Sequence, residues 1–242
     1  ARSEWEAFFT QSHGDILGDL PMDDPETALF VDLVYYDFVV DQIIDRVQEV
    51  FGVTILNREP RHNTDALGFS FRALHDPIAN EDSVGATIWE ECSKDALRAA
   101  DSSFLRALYE TIISRDVRLA LGEYHTPRGL AELAVDQLAV EAMLDGAVLD
   151  PGCGSGVFVS VCIDRMIDAL ENTTDPVDLL DQITASVIGI DLNPTAVKST
   201  KLAYLLASLE ILEDDAVETI EIPVFLTDAL GLTRSDTIRY DG

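Results

Sequence analysis

The sequence predicts an α/β fold in which an incomplete, Rossmann-like parallel sheet follows a mainly helical N-terminal domain. Two apolar runs, which end at Asp150 and Asp191, are each followed by a turn and a helical pattern, as in strand-turn-helix units. Between Glu26 and Phe51, apolar residues instead recur near helical spacing. We therefore expect a helical domain over residues 1–120 and the sheet domain over residues 121–242.

The N-terminal half contains recognisable helix signals. Asp24 is expected to cap a helix that begins at Pro25, because proline fits the first helical position. Residues 54–83 are expected to form a loop with one short strand or helix at most. Two further helices are expected over Ile88–Ala99 and Ser103–Ala120.

The turn after the first apolar run is the most informative segment, because it contains three alternating glycines, Gly152, Gly154 and Gly156. Glycines let the backbone approach a ligand, and the helix expected over residues 155–170 begins with free N–H groups directed at it. A dinucleotide fingerprint needs Gly-x-Gly-x-x-Gly, but Val157 occupies the position of its third glycine. This spacing favours S-adenosylmethionine over NAD.

About forty residues later, a second apolar run also ends in an aspartate and is followed by a turn and a helical pattern. Asp191 follows Val-Ile-Gly-Ile, and a carboxylate at the end of such a strand can accept hydrogen bonds from both ribose hydroxyls of a nucleotide. Asn193 is expected to cap a helix that begins at Pro194 and runs to about Leu209.

A third motif, Gly-Glu-Tyr-His-Thr-Pro, begins at Gly122. Together with Asp-Pro-Gly-Cys-Gly-Ser-Gly and Gly-Ile-Asp-Leu-Asn-Pro in this order, it resembles the adenine-N6 DNA methyltransferases of restriction-modification and phage-defence systems. The likeness is to type I modification subunits and single-chain type II enzymes, and it covers roughly Phe104 to Gly242. Thr126 taken alone could instead be a simple helix cap.

The resemblance implies S-adenosylmethionine as cofactor and a set of residues that contact it. Tyr124, Thr126 and Pro127 would close over the methionine end, and Asp150 and Gly152 would contact the methionine part. Asp191 and Leu192 would contact the ribose and adenine, and Asp228 the adenine amino group. Gly154 and Ala229 are expected to be further cofactor contacts.

The catalytic tetrapeptide of the family, Asn/Asp/Ser-Pro-Pro-aromatic, does not occur, because none of the nine prolines follows another. We therefore assign no catalytic residue to this chain and expect the motif beyond Gly242, in a longer enzyme. The chain is expected to bind cofactor without methylating a substrate by itself. With strands that end near Asp150, Asp191 and, by the resemblance, Asp228, the predicted sheet order is third, second, first. The missing fourth strand would leave the strand Ala147–Asp150 as an open edge.

The composition is strongly acidic, with 45 Asp and Glu against 16 Lys and Arg and a formal net charge of −29. Such a surface repels DNA phosphates, so DNA contacts are expected mostly through regions outside this chain. The acidic residues are spread along the sequence, which favours a salt-loving source over an acidic face for a protein partner or for mimicry of DNA.

Histidine and cysteine spacing predicts neither a metal site nor a disulfide framework. His13, His62 and His75 are expected at the surface or in caps, and Cys153 is expected to be a small turn residue. No apolar run is long enough to span a membrane, and a cytoplasmic location is expected.

The sequence therefore predicts the cofactor-binding part of an adenine-N6 DNA methyltransferase, with a specificity or nuclease subunit as a further partner. Two alternatives stay open. One is a methyltransferase that acts on RNA or on a protein glutamine, and the other is a noncatalytic module that keeps cofactor binding.

Overall fold

The computed structural model describes residues 2–14, 23–56, 71, 74–75, 84–144 and 146–232. This part of the chain is a mixed α/β structure that is mostly helical. Its helices are α1 (Arg2–His13), α2 (Pro25–Phe51), α3 (Val84–Glu91), α4 (Lys94–Ala99), α5 (Ser102–Ile112), α6 (Arg115–Leu121), α7 (Arg128–Val135), α8 (Val140–Leu144), α9 (Val157–Leu170), α10 (Pro176–Ser186), α11 (Pro194–Ala207) and α12 (Leu209–Leu212). Its strands are β1 (Thr54–Leu56), β2 (Val148–Asp150), β3 (Val187–Asp191), β4 (Thr219–Glu221) and β5 (Val224–Leu226).

The long helix α2 is confirmed with the predicted start. The Asp24 carboxylate accepts a hydrogen bond from the Thr27 N–H at 3.2 Å, and Pro25 is the first helical residue. The helix ends at Phe51, and the next residue, Gly52, has a positive φ of 70° that favours glycine. Its buried face includes Leu29, Tyr36, Phe38 and Val40.

The two helices predicted between residues 88 and 120 are wrong in their bounds, because each is divided in two. Ser93 caps α4 by accepting from the Ala96 N–H at 3.2 Å, and Ser114 caps α6 by accepting from the Val117 N–H at 3.4 Å. A serine hydroxyl competes for backbone N–H groups and favours a new helix start over continuation. The apolar residues keep their helical spacing across both breaks, so the spacing alone does not indicate where each helix ends.

The three predicted strands form one parallel sheet in the order β2-β3-β5, so the predicted order is confirmed. Val148 of β2 pairs with Val187 of β3, and Gly189 of β3 pairs with Val224 of β5. Because the strands are parallel, their carboxyl ends lie at one edge of the sheet. Among the described residues β2 has no second strand beside it, and its Leu149 is 48% exposed.

Helices α9, α10 and α11 pack on this sheet, and α9 contacts α11 closely. The helix expected from residue 155 begins at Val157, because Gly156 takes a positive φ of 79°. A Cβ atom at Gly156 would lie 2.7 Å from the Ala203 Cβ and 3.0 Å from the Thr200 Cα. Only glycine therefore allows the turn to rest directly on α11.

The residues before and after position 121 are joined by several contacts. Strand β1 pairs in parallel with β4, and α2 packs on α11. The Tyr36 hydroxyl of α2 lies 2.8 Å from the Ser199 hydroxyl of α11. Of the predicted loop over residues 54–83, the strand β1 is seen, and most of the remainder lies outside the described residues. No helix in the described ranges has the length and apolar character needed to cross a membrane.

Candidate cofactor site

The glycine turn and the end of β3 are brought together at the carboxyl edge of the sheet. The Gly154 N–H donates to Asp191 Oδ2 at 2.9 Å, and the Asn193 N–H donates to Asp191 Oδ1 at 2.8 Å. Each carboxylate oxygen of Asp191 thus holds one of the two loops that follow β2 and β3. Asn193 caps α11 as predicted, by accepting from the Thr195 N–H at 2.9 Å.

A cavity of about 220 Å³ lies between this edge, the segment after α6 and the helices α2 and α5. Four of the predicted residues line it: Tyr124, Gly152, Gly154 and Asp191. Tyr124 is 75% exposed, so its ring stands at the rim rather than in the interior.

The other predicted residues do not line the cavity. Thr126, Asp150 and Ala229 are half-buried, Leu192 is 36% exposed, and Pro127 and Asp228 are exposed.

Two of these acids accept hydrogen bonds from backbone N–H groups of their own turns. Asp150 accepts from the Gly152 N–H at 3.3 Å, and Asp228 accepts from the Leu230 N–H at 2.9 Å. The loop that carries Asp228 is tied to β3, because the Thr227 N–H donates to the Asp191 carbonyl at 3.0 Å.

The alternative in which Thr126 serves only as a helix cap is wrong. The residue at the cap position of α7 is Pro127, and no side chain caps that helix. Proline suits this position because its fixed φ leads into a helix.

Sequence reasoning assigned no role at the site to the other nine residues that line the cavity, namely Tyr36, Tyr109, Gly122, Glu123, His125, Ser155, Asn193, Ala196 and Ser199. Glu123 and His125 belong to the third motif, so their position in the sequence was the available signal. Nothing in the pattern of α2 or α5 separates Tyr36 and Tyr109 from ordinary core aromatics, since both are buried.

The pKa values of two acids, Glu123 in the cavity wall and Asp150 at the end of β2, are raised. Burial raises the pKa of Glu123, against the opposing effect of hydrogen bonds from Tyr109 and Asn193, and the nearby Asp191 raises it further. Burial also raises the pKa of Asp150, opposed by the Gly152 N–H and reinforced by Asp191. The described residues that line the cavity include two acids, Glu123 and Asp191, and no lysine or arginine.

Two side chains with nucleophilic or basic atoms lie beside the turn. Burial raises the pKa of the Cys153 thiol to about 12, which keeps it protonated and agrees with a packing role. Burial lowers the pKa of His125, whose ring packs against that of Tyr109 with centroids 5.2 Å apart. The His125 Nδ1 atom is buried without a hydrogen-bond partner.

The residues at this edge fit a cationic nucleoside cofactor. A Cβ atom built at Gly152 would meet no atom within 4 Å, so the backbone faces open space into which a ligand fits. Asp191 stands at the strand end where a ribose is bound in comparable folds. The acidic wall suits the positive charge of S-adenosylmethionine.

One prediction about histidine is wrong. His75 is buried, with its Nε2 atom 2.9 Å from Asp37 Oδ2 and its Nδ1 atom 3.4 Å from Asp41 Oδ2. The three side chains offer ligand atoms within 4.8 Å of one another, a spacing that could hold a metal ion. The Lys198 amine lies 2.6 Å from Asp37 Oδ1 and 3.0 Å from Asp41 Oδ1, and so already supplies a positive charge there.

Comparison with known proteins decides the family. The N-6 DNA Methylase family matches residues 101–223, which is just over half of the chain. The chain belongs to the N-6 DNA methylase family. The matched range contains the Gly-Glu-Tyr-His-Thr-Pro segment, the glycine turn and Asp191, and the expected resemblance to adenine-N6 methylases of restriction-modification systems is confirmed. Enzymes of this family use S-adenosylmethionine.

Three relatives share part of the same region. The methylase subunit of the type I restriction enzyme EcoEI from Escherichia coli is 29% identical over 119 residues, which are 48% of this chain and 21% of the relative. The methylase subunit of type I enzyme MjaIX from Methanocaldococcus jannaschii is 33% identical over 89 residues, 37% of this chain and 14% of the relative. The type II methyltransferase M.MamI from Microbacterium ammoniaphilum is 32% identical over 119 residues, 46% of this chain and 30% of the relative. The chain thus spans less than a third of each relative.

Proposed function

We propose that this chain carries the S-adenosylmethionine site of an adenine-N6 DNA methyltransferase from a restriction-modification system. The observation that supports this most is Asp191, whose carboxylate stands at the end of β3 and holds the glycine turn at the mouth of the cavity. When bound, the cofactor supplies a methyl group on a cationic sulfur. The chain's own residues bind it, orient it and exclude water from it.

In this proposal each predicted residue contacts a different part of the cofactor. Asp191 and Leu192 take the ribose and adenine, and Asp228 with Ala229 takes the adenine amino group. The glycine turn leaves room for the methionine end, where Asp150 contributes its carboxylate. Tyr124, Thr126 and Pro127 close the open side, which agrees with the exposed position of the Tyr124 ring.

The proposal also covers the finer architecture and the partners. The sheet is Rossmann-like, and residues 1–120 form a helical domain packed on the sheet domain of residues 121–242. DNA and a specificity or nuclease subunit contact the whole protein mostly through other regions, and the protein works in the cytoplasm. Support for the partners comes from relatives named as subunits of type I restriction enzymes.

Ligand selectivity tests the proposed function directly. S-adenosylmethionine and S-adenosylhomocysteine are expected to bind at one site, whereas NAD is expected to bind roughly 100-fold more weakly or not at all. The pyrophosphate of NAD would face the carboxylates of Glu123, Asp150 and Asp191, and juxtaposed like charges cost several kcal/mol. Calorimetric titration measures all three ligands. NAD binding as tight as that of S-adenosylmethionine would reject the assignment.

We also propose that the acidic composition reflects a halophilic source. With a net charge of −29 and three lysines, the chain is expected to be partly unfolded in dilute buffer and folded in molar KCl. Salt reduces the screening length to about 3 Å at 1 M and weakens the self-repulsion of the folded state. Circular dichroism across a KCl series measures this. Full helicity at low salt would favour an acidic face for a partner instead.

A further inference from the structure

Glu123 occupies an unusual position at the wall of the cavity, because its carboxylate is held from two sides by neutral donors. The Tyr109 hydroxyl of α5 donates to Oε2 at 2.6 Å, and the Asn193 side-chain amide donates to Oε1 at 3.2 Å. Each carboxylate oxygen can accept two hydrogen bonds, so both oxygens retain acceptor capacity. The carboxylate is therefore fixed in place without being saturated.

No cation in the described part of the chain forms an ion pair with Glu123. Arg118 is the basic residue with an electrostatic effect on it, but Arg118 donates to the Ile113 carbonyl at 3.2 Å and pairs with Glu110 at 3.5 Å. A mostly buried carboxylate with no counter-ion is unfavourable, and a second acid, Asp191, faces the same cavity. Such a wall is complementary to a positively charged ligand.

We propose that Glu123 binds the ammonium group at the amino-acid end of S-adenosylmethionine, and that Tyr109 and Asn193 position its carboxylate. This inference rests on the proposed function of the cavity. The cofactor has two cationic atoms, the ammonium nitrogen and the sulfonium sulfur. Only the ammonium group can donate hydrogen bonds to the acceptor positions that Glu123 retains.

The protonation of Glu123 agrees with this role. Burial raises its pKa, and the donors on Tyr109 and Asn193 favour the ionised form that a cation needs. Cofactor affinity is therefore expected to fall as acid protonates Glu123. Loss of the Tyr109 hydroxyl removes one of these donors, so it moves that fall to higher pH.

The first experiment uses three ligands that differ at the amino-acid end and at the sulfur. S-adenosylmethionine carries both cationic groups, S-adenosylhomocysteine lacks the sulfonium charge, and 5′-methylthioadenosine lacks the whole amino-acid portion. Glu123→Gln is expected to weaken the first two by about 10- to 150-fold, the range for a hydrogen bond to a charged group. The affinity for 5′-methylthioadenosine is expected to stay unchanged. Glu141→Gln, which removes an exposed acid on α8, is the matched control.

Each other outcome of this titration overturns the inference. Equal weakening of all three ligands indicates a structural role for Glu123 or a contact with the nucleoside portion that they share. Weakening of S-adenosylmethionine alone places the carboxylate at the sulfonium. Unchanged affinities remove Glu123 from the site. Failure of the parent chain to bind any of the three rejects the proposed function itself, so the two failures are distinguishable.

The second experiment tests Tyr109 as a positioning residue through the pH dependence of binding. Tyr109→Phe is expected to shift the acid limb of S-adenosylmethionine affinity to higher pH. Tyr204→Phe is the matched control, since this buried tyrosine donates to the Ile183 carbonyl at 3.1 Å and lies outside the cavity. An acid limb that does not move in Tyr109→Phe, or moves equally in both variants, overturns the positioning role.

Discussion

Replacing Lys198 by methionine is expected to lower the free energy of unfolding by about 3 to 5 kcal/mol at pH 8, the usual cost of removing one partner from a buried ion pair. The Lys198 amine bridges Asp37 and Asp41 at 2.6 and 3.0 Å, and Asp37 is only 3% exposed. Methionine keeps the length of the side chain without its charge. The two carboxylates then stay buried with His75 as their remaining partner.

The destabilisation is expected to shrink in acid. Burial raises the pKa of Asp37 and Lys198 lowers it, so removal of the amine raises this pKa further. A carboxyl group whose pKa is raised by folding contributes stability below its unfolded pKa and loses that contribution as the pH rises through its folded pKa. Lys198→Met is therefore closest to the parent chain near pH 5 and furthest from it near pH 8.

Denaturant unfolding at both pH values in the same KCl concentration measures this difference. Lys94→Met is the matched control, because it removes another of the three lysines and changes the net charge equally. Lys94 is 43% exposed and lies 3.9 Å from Glu213, so its loss is expected to cost about 1 kcal/mol or less. Equal costs for the two variants would show that Lys198 is not the partner that neutralises the buried acids.

This cluster also explains why the N-terminal helices matter for the site. Asp37 and Asp41 belong to α2, whereas Lys198 belongs to α11, the helix that Asn193 caps. The ion network therefore fixes α2 against the helix that follows the loop of Asp191 and Asn193. His75 joins the network from a segment that looked like an ordinary loop in the sequence, so its burial could not be predicted from spacing.

The sequence predicted the parts of the fold that local rules control. The strand ends at Asp150 and Asp191 and the start of α11 at Pro194 follow from apolar runs, turn glycines and caps, and the structure agrees with them. The order of the three strands followed from the resemblance to a known family. Breaks at Ser93 and Ser114 were missed, because a single capping hydroxyl interrupts a periodic pattern without altering it.

Contacts between distant elements could not be predicted in this way. The pairing of β1 with β4 joins residues 54–56 to residues 219–221, and no local signal specifies such a partner. Tyr109 reaches Glu123 because α5 packs against the same wall of the cavity. The sequence identified the residues at the glycine turn. Tertiary packing adds Tyr36, Tyr109 and Ser199 to the cavity lining, and no local pattern indicates these three.

Replacing Asp191 by alanine is the second change with a large expected effect. The carboxylate accepts backbone hydrogen bonds from Gly154 and Asn193, and in the proposed complex it also accepts from the ribose hydroxyls. A hydrogen bond to a charged group contributes roughly 1.5 to 3 kcal/mol, so affinity for S-adenosylmethionine is expected to fall by about 10- to 150-fold. The variant loses both the hydrogen bond that fixes the glycine turn and the proposed hydrogen bonds to the ribose.

Two further variants separate these contributions. Asp191→Asn keeps the shape of the side chain and one acceptor oxygen, so an intermediate loss of affinity is expected. Asp181→Ala removes an exposed acid from α10 and is expected to bind like the parent chain. Circular dichroism at the working salt concentration establishes that each variant is folded before it is titrated.

Calorimetric titration of S-adenosylmethionine into the parent chain and into Asp191→Ala is the most direct test of the central claim, that the cavity at the end of β3 is the cofactor site. The expected result is one site in the parent chain and an affinity about 10- to 150-fold lower in the folded variant. Equal affinity in the two proteins would place the cofactor elsewhere and contradict the claim.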